Sequence, residues 1–285
     1  MSRWWPERLV IGLAPGRVDL TRLGRWPSRR VDEHSSLNCE PQPGEAPWAA
    51  ALRVLDTALP QTDGGAATVV LSNHFLRYLV LPWQPALTRA SELDTLARLR
   101  FEQIHGPVVA AWTVQLSDGG YGAPLLACAV DTGLHTTLRE HLERRGLRLA
   151  SMQGLLMAAF NHHRRALTAA ASTASADRPA ALALVEPGRL CLALLAGGRW
   201  LAVSTRRVGA DAAAIIEQEL ASLQLSPGTL DLLLVGDARC APVDAVPITR
   251  RLAVPTAGLA VSPGQALDTA AASMFAASLA VWGTL

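Results

Sequence analysis

Lysine is missing from this sequence: all 26 cationic side chains are arginine. Its absence excludes a Walker-type lysine, a Schiff-base lysine and a lysine general base together. GC-rich codon usage is the plain origin of such a bias. Set against 24 acidic residues, the arginines leave a net charge of +2 and predict no strong field for nucleic acid. Cysteine is scarce too. Cys39, Cys128, Cys191 and Cys240 lie far apart with no C-x-x-C and no Cys/His ligand spacing, so reduced, mostly buried thiols are expected rather than zinc or disulfides. No Gly-x-Ser-x-Gly elbow or H-E-x-x-H motif occurs. Met1 to Glu7 carries no signal-peptide apolar core, and the apolar stretch Ala270 to Leu285 is shorter than the roughly 20 residues of a membrane span. That stretch reads as a buried closing helix.

What the chain does have is apolar mass. Half of its 285 residues are hydrophobic, enough for two domains with sizeable cores. Ala180 to Val208 holds three short apolar runs parted by Glu186-Pro-Gly-Arg189 and Ala196-Gly-Gly-Arg199, the pattern of an antiparallel meander. A helix follows with Ala213, Ile216, Leu220 and Leu223 on its apolar stripe and Asp211, Glu217, Gln218 and Glu219 on the surface. Leu230 to Val235 is then apolar enough for a strand buried on both faces.

Strand, strand, strand, helix, strand is how each half of an actin-like (ribonuclease H-like) α/β fold begins. The first residues offer a fainter copy, since Gly12 to Leu20 overlays Ala183 to Leu192 with Pro-Gly-Arg in register. The expected organisation is therefore a first lobe over 1–178, with an insertion at about 74–121, and a second lobe over 179–285. Within the first lobe, strands are expected at Leu9–Ala14, Val18–Leu23, on both sides of Ser72-Asn73-His74, at Val108–Leu116, Pro124–Val130 and Leu147–Ser151. A loop with a short edge strand covers Arg25–Pro47. Helices are expected at Trp48–Leu59, Glu92–His105 (apolar side Leu93, Leu96, Leu99, Ile104), Gly133–Arg145 and Leu155–Leu167. An Ala/Ser/Thr linker runs over Thr168–Arg178. His162-His163 read as exposed residues near a helix end, and His135 and His141, six apart, cannot share a ligand face. Asp131 is either the carboxylate of an α/β site or the cap of the next helix.

Leu71-Ser-Asn-His, Arg77, Leu81-Pro82-Trp83, Glu92 and Glu102 follow a pattern of strand, polar turn, Arg-bearing strand, Leu-Pro and acidic helix. In this the chain resembles the actin-like PilM family of type IV pilus biogenesis and the cytoplasmic domain of the type II secretion protein GspL. The similarity continues through Leu126–Val130, Gly146-Leu147, Arg206-Arg207, Ile216–Leu220 and Val235-Gly236. The resemblance implies two lobes around a cleft and a cytoplasmic scaffold of an inner-membrane assembly platform. It also implies a membrane-anchored partner of the PilN or GspL-periplasmic type, whose cytoplasmic tail the scaffold docks, and an assembly ATPase. Such a scaffold is peripheral to the inner membrane through its partner, with no span of its own. Arg77, Tyr78 and Trp83 are the candidate docking residues.

An actin-like ATPase grips phosphates with backbone N–H groups of two hairpin turns, each usually carrying an Asp that orders Mg²⁺. The equivalent turns here, Ala14-Pro15-Gly16-Arg17 and Glu186-Pro187-Gly188-Arg189, lack that Asp, and each proline removes a donor. Arg17, Glu186 and Arg189 read first as solvated turn residues; the alternative is that Glu186 holds a cation and an arginine meets phosphate. Leu232 to Ala238 supplies a single Gly236 before Asp237 where a Gly-Gly would face adenine. These residues predict a vestigial pocket with no cofactor and no catalysis, with weak Mg-ATP binding as the alternative. No metal site is predicted. An active ATPase or sugar-kinase-like enzyme and a self-associating filament protein are the competing functions.

Overall fold

The computed structural model describes residues 7–23, 31–62, 64–117, 119–173, 178–209, 211–226 and 229–236, with 240, 243, 248, 250 and 251. The expected closing helix at Ala270–Leu285 and Asp237 lie outside these residues.

Two five-stranded sheets repeat one plan. In the first, β1 (Glu7–Ala14), β2 (Arg17–Leu23) and β3 (Val31–Asn38) form an antiparallel meander. Strands β4 (Gly65–Leu71) and β8 (Leu147–Gly154) then add in parallel beside β1, giving the order β3-β2-β1-β4-β8. In the second, β9 (Ala180–Glu186), β10 (Arg189–Ala196) and β11 (Arg199–Arg207) are the meander. There β12 (Asp231–Gly236) and β13 (Arg250–Arg251) add in parallel, in the order β11-β10-β9-β12-β13. Pro15-Gly16 and Pro187-Gly188 sit at the equivalent turns, so the tripeptide overlay marks a structural repeat. Helix α1 (Ala49–Ala58) in the first half and α5 (Ala212–Ser222) in the second also fall at matching places.

A third, three-stranded sheet breaks the symmetry. It joins β5 (Leu76–Leu81), β7 (Leu125–Asp131) and β6 (Trp112–Leu116) in that antiparallel order. Helix α2 (Ala90–His105) covers one face, and the chain returns through a 3₁₀ turn, Gly106–Ala111, where the expected strand should already have begun. Pro107 withholds the N–H a ladder needs, which favours the turn. Nor is α2 buried by its leucines. Ala97 and Phe101, four apart, carry the packing against Val114, Ala127 and Ala129, and Leu99 and Ile104 are 52% and 61% exposed. The small Ala97 lets the helix approach the sheet closely, with Leu96 packed at the margin and Leu99 and Ile104 left outside.

Helix α3 (Thr132–Arg144) buries Leu134, Leu138 and Leu142 against the first sheet, and the Asp131 carboxylate accepts from Gly133 N at 2.7 Å. The capping role of Asp131 is therefore the observed one. Gly146 ends the unit at φ +76°, with the Thr62 carbonyl 2.2 Å from where a Cβ would stand, so no other residue fits. Helix α4 (Leu155–Thr173) runs past the expected end at Leu167, because alanine-rich sequence favours helix over linker. His163 is consequently interior to the helix and only 8% exposed, not an exposed residue near its end. Leu155, Leu156, Ala158 and Ala159 of α4 pack with Val10 and Val70 of the first sheet and with Leu182, Leu184 and Cys191 of the second, forming one core between the sheets.

Candidate functional site

The two proline-bearing turns meet face to face. Ala14, Pro15, Gly16 and Arg17 of the β1–β2 turn and Glu186 and Pro187 of the β9–β10 turn enclose, with His74, a cavity of about 100 Å³. Gly188 lies behind His74, and Gly236 closes β12 opposite Val185.

None of the three turn side chains expected in solvent is free there. Arg17 is 5% exposed and pairs through Nε with Asp19 at 2.7 Å; Asp19 is 1% exposed. Glu186 is 1% exposed. Its carboxylate accepts from the Ser72 hydroxyl and, at 3.1 Å, from Asn73 N. Arg189 is half-buried, and its Nε has no hydrogen-bond partner. A carboxylate at the end of a buried strand must find donors, and the polar turn after β4 supplies them. The β9–β10 turn is thus fastened to Ser72-Asn73 of the first half.

The same turn organises the next residues. Asn73 Oδ1 accepts from the Tyr78 hydroxyl at 2.9 Å. His74 Nε2 lies 3.0 Å from the Pro187 carbonyl, which only accepts, so the imidazole proton sits on Nε2. Burial, with Arg189 and Arg77 nearby, pulls the His74 pKa down to about 4. The imidazole is neutral at neutral pH. Burial raises the Tyr78 phenol well above its usual range.

The candidate docking residues do not form one surface. Tyr78 points inward to Asn73, and Arg77 donates through Nη1 to the carbonyls of His74 and Leu76 at 3.2 and 2.8 Å. Trp83 stands edge-on to Tyr121, with ring centroids 4.9 Å apart.

A larger feature lies on the other side of the three-stranded sheet. Among the described residues strands β8 and β6 each pair on one side only, and a groove of about 500 Å³ opens between β8 and the three-stranded sheet. Leu149 and Met152 of β8 form one wall, with Thr113 and Gln115 of β6 and Cys128 and Val130 of β7 opposite. The register places Thr113 beside Val130 and Gln115 beside Cys128, so these four share a sheet face. The sheet's other face is sealed by α2. Gly154 closes one end; a Cβ there would stand 2.5 Å from Leu76 Cδ1 and 2.6 Å from Tyr78 Oη. Sequence reasoning missed this groove because edge status follows from strand order, not from residue type.

Among the described residues no group of three metal-ligating side chains occurs, and no helix is long and apolar enough to cross a membrane. None of the four cysteines is in a disulfide. Burial lifts the Cys128 thiol to about 12 and the Cys39 thiol to about 11.

No family model matches the chain, and no curated protein matches it. Solved structures do. The PilM–PilN type IV pilus biogenesis complex superposes with a TM-score of 0.66 at 16% identity, covering 98% of each chain. The cytoplasmic domain of EpsL, an inner-membrane component of the Vibrio cholerae type II secretion system, gives 0.52 at 12% identity, over 91% of this chain and 90% of that one. A Bacteroides thetaiotaomicron protein of unknown function with an actin-like ATPase fold gives 0.57 at 13%, over 83% and 85%. This chain has the two-lobed actin-like fold of PilM and of the EpsL cytoplasmic domain.

Proposed function

We propose that the chain is a catalytically silent adaptor in a type IV pilus or type II secretion-like assembly platform, docking the cytoplasmic tail of a PilN-like membrane-anchored partner. The groove between β8 and β6 carries this reading. The edge of β8, unpaired among the described residues, beside an apolar sheet face suits an extended peptide, whose backbone adds to an edge while alternate side chains fill pockets. Arg77, Tyr78 and Trp83 are then supports or rim residues, with the inward Tyr78 bracing the end of the groove at Gly154. On this reading the lobes divide at 178/179, the insertion at about 74–121 holds the β6 part of the far wall, and the protein reaches the inner membrane from the cytoplasm only through its partner. The assembly ATPase is a second partner on the same reading.

Three observations support the loss of catalysis. The Glu186 carboxylate is already engaged by Ser72 and Asn73. Both turns carry proline where phosphate needs an N–H. The cavity between them, about 100 Å³, is well below the roughly 300 Å³ at which small-molecule sites begin.

Titration of the folded chain with the partner's cytoplasmic tail tests the proposal. Saturable binding is expected, weakened by Gln115→Lys, at an exposed position of β6, and by Met152→Lys on β8. Tail binding that neither variant disturbs removes the groove from the proposal, and no binding by the folded chain removes the adaptor.

A further inference from the structure

Met152 on β8 and Met157 on α4 come from different elements and reach the same groove. Met152 packs on the core of the first sheet and Met157 on the core between the sheets, yet both stay half-buried, so a small solute in the groove meets each side chain. Leu71 and Leu76, which line the same space, are 1% and 2% exposed. Of the four methionines in the sequence, the other two, Met1 and Met274, lie outside the described residues.

The lining of the groove holds no Asp, Glu or Arg. Its character is therefore set by apolar contacts, and a new dipole on its wall changes it more than one placed among charges. Cys128 brings a third sulfur to the same wall, but burial holds its thiol at about 12, so it is protonated at neutral pH and a poor nucleophile. A thioether carries no proton and needs no such activation.

We propose that Met152 and Met157 form a reversible oxidation site that closes the groove to an apolar peptide. The oxidant is a hydroperoxide. The thioether sulfur attacks a peroxide oxygen, the S–O bond forms as the O–O bond breaks, and with hydrogen peroxide the departing hydroxide takes up the remaining proton and leaves as water. Sulfur gives up two electrons to become the sulfoxide, and the peroxide receives them. A thiol-dependent methionine sulfoxide reductase reverses the step, its two thiols ending as a disulfide and the oxygen as water. The sulfoxide is polar where the thioether was apolar, so a peptide laid over it buries a dipole with no donor to meet it. The switch rests on the docking reading above, because the tail is what the sulfoxide keeps out.

Hydrogen peroxide treatment of the full chain tests the site, with sulfoxide read at each methionine by peptide mass spectrometry and binding read by titration with the partner's cytoplasmic tail. Sulfoxide is expected at both Met152 and Met157, at rates equal at pH 6 and pH 8, with Cys128 still a thiol. Tail affinity should fall about tenfold or more, the effect of burying one unmatched dipole, and return after treatment with sulfoxide reductase and dithiothreitol. Met152→Leu combined with Met157→Leu, whatever its own starting affinity, should bind the tail equally before and after peroxide. Thermal unfolding of the oxidised chain separates a switch from damage, since the oxidised chain should still unfold cooperatively. Sulfoxide missing from either residue, a loss of affinity that persists in the leucine variant, or a loss that tracks unfolding overturns the proposal. Tail affinity unchanged by full conversion overturns it too and leaves the docking reading in place, whereas no tail binding before treatment ends that reading and the switch with it.

Discussion

Glu186, the last residue of β9, accepts a hydrogen bond from the hydroxyl of Ser72, just past the end of β4, and so ties the second sheet to the first. Both residues are fully buried, at 1% and 0% exposure. Ser72→Ala removes one donor from a buried carboxylate and should cost roughly 1.5–3 kcal/mol, the range for hydrogen bonds to charged groups. Glu186→Ala should cost at least as much, since it strands Ser72 Oγ and Asn73 N together. Urea unfolding midpoints at fixed m-value measure both. Any Mg²⁺-dependent ATP hydrolysis that disappears with Glu186→Ala would show the carboxylate to be catalytic instead.

His74 makes stability depend on pH. Its folded pKa, about 4, is below the unfolded value of about 6.5. Between those values the unfolded chain binds the extra proton. The contribution is therefore complete above about pH 6.5, falls as pH drops, and is exhausted near pH 4. Partial exposure limits it to about 1–3 kcal/mol. Comparing urea midpoints at pH 7.5 and 5 should show the loss, and His74→Gln, which keeps a donor for the Pro187 carbonyl, should flatten that slope. An unchanged slope in the variant would locate the dependence elsewhere.

Local patterns carried most of the architecture. Pro15-Gly16 and Pro187-Gly188 are equivalent turns because a tight turn is specified by residues adjacent in sequence. Leu134, Leu138 and Leu142 announce α3 for the same reason. What failed depended on partners distant in sequence. Glu219 reads as a surface residue on α5, yet it is 6% exposed because Arg206 on β11 reaches over it. The α2 leucines read as a buried stripe, but the sheet beneath selects Ala97 and Phe101. The Glu186–Ser72 bond spans 114 residues, a distance at which composition and periodicity carry no signal.

Gly154 should tolerate no side chain. The added methyl of Gly154→Ala would meet Leu76 Cδ1 and Tyr78 Oη well inside contact distance. Overpacking of this kind costs about 1–3 kcal/mol. Because those two atoms close one end of the groove, the variant should also weaken binding of the partner's tail beyond any loss of stability. Thermal unfolding and tail titration of the same preparation separate the two effects. Full stability would mean that the strand end shifts freely.

Arg206 and Glu219 offer the sharpest test of a buried charge. Their Nε–Oε1 distance is 2.6 Å, with the glutamate side chain 7% exposed and the arginine 55%. Arg206→Ala leaves the carboxylate without its cation in a site walled by the core around Ile216 and Leu220. The expected cost is about 2–4 kcal/mol, toward the value for breaking a buried pair, since only the arginine end is wet. Glu219→Gln alone should cost less, because the amide oxygen still accepts from Nε. Replacing both, as Arg206→Met with Glu219→Leu, should recover most of the loss, because no buried charge remains to be compensated. A double variant as unstable as Arg206→Ala would show that packing by the arginine stem, and not the charge it neutralises, is what the second sheet requires.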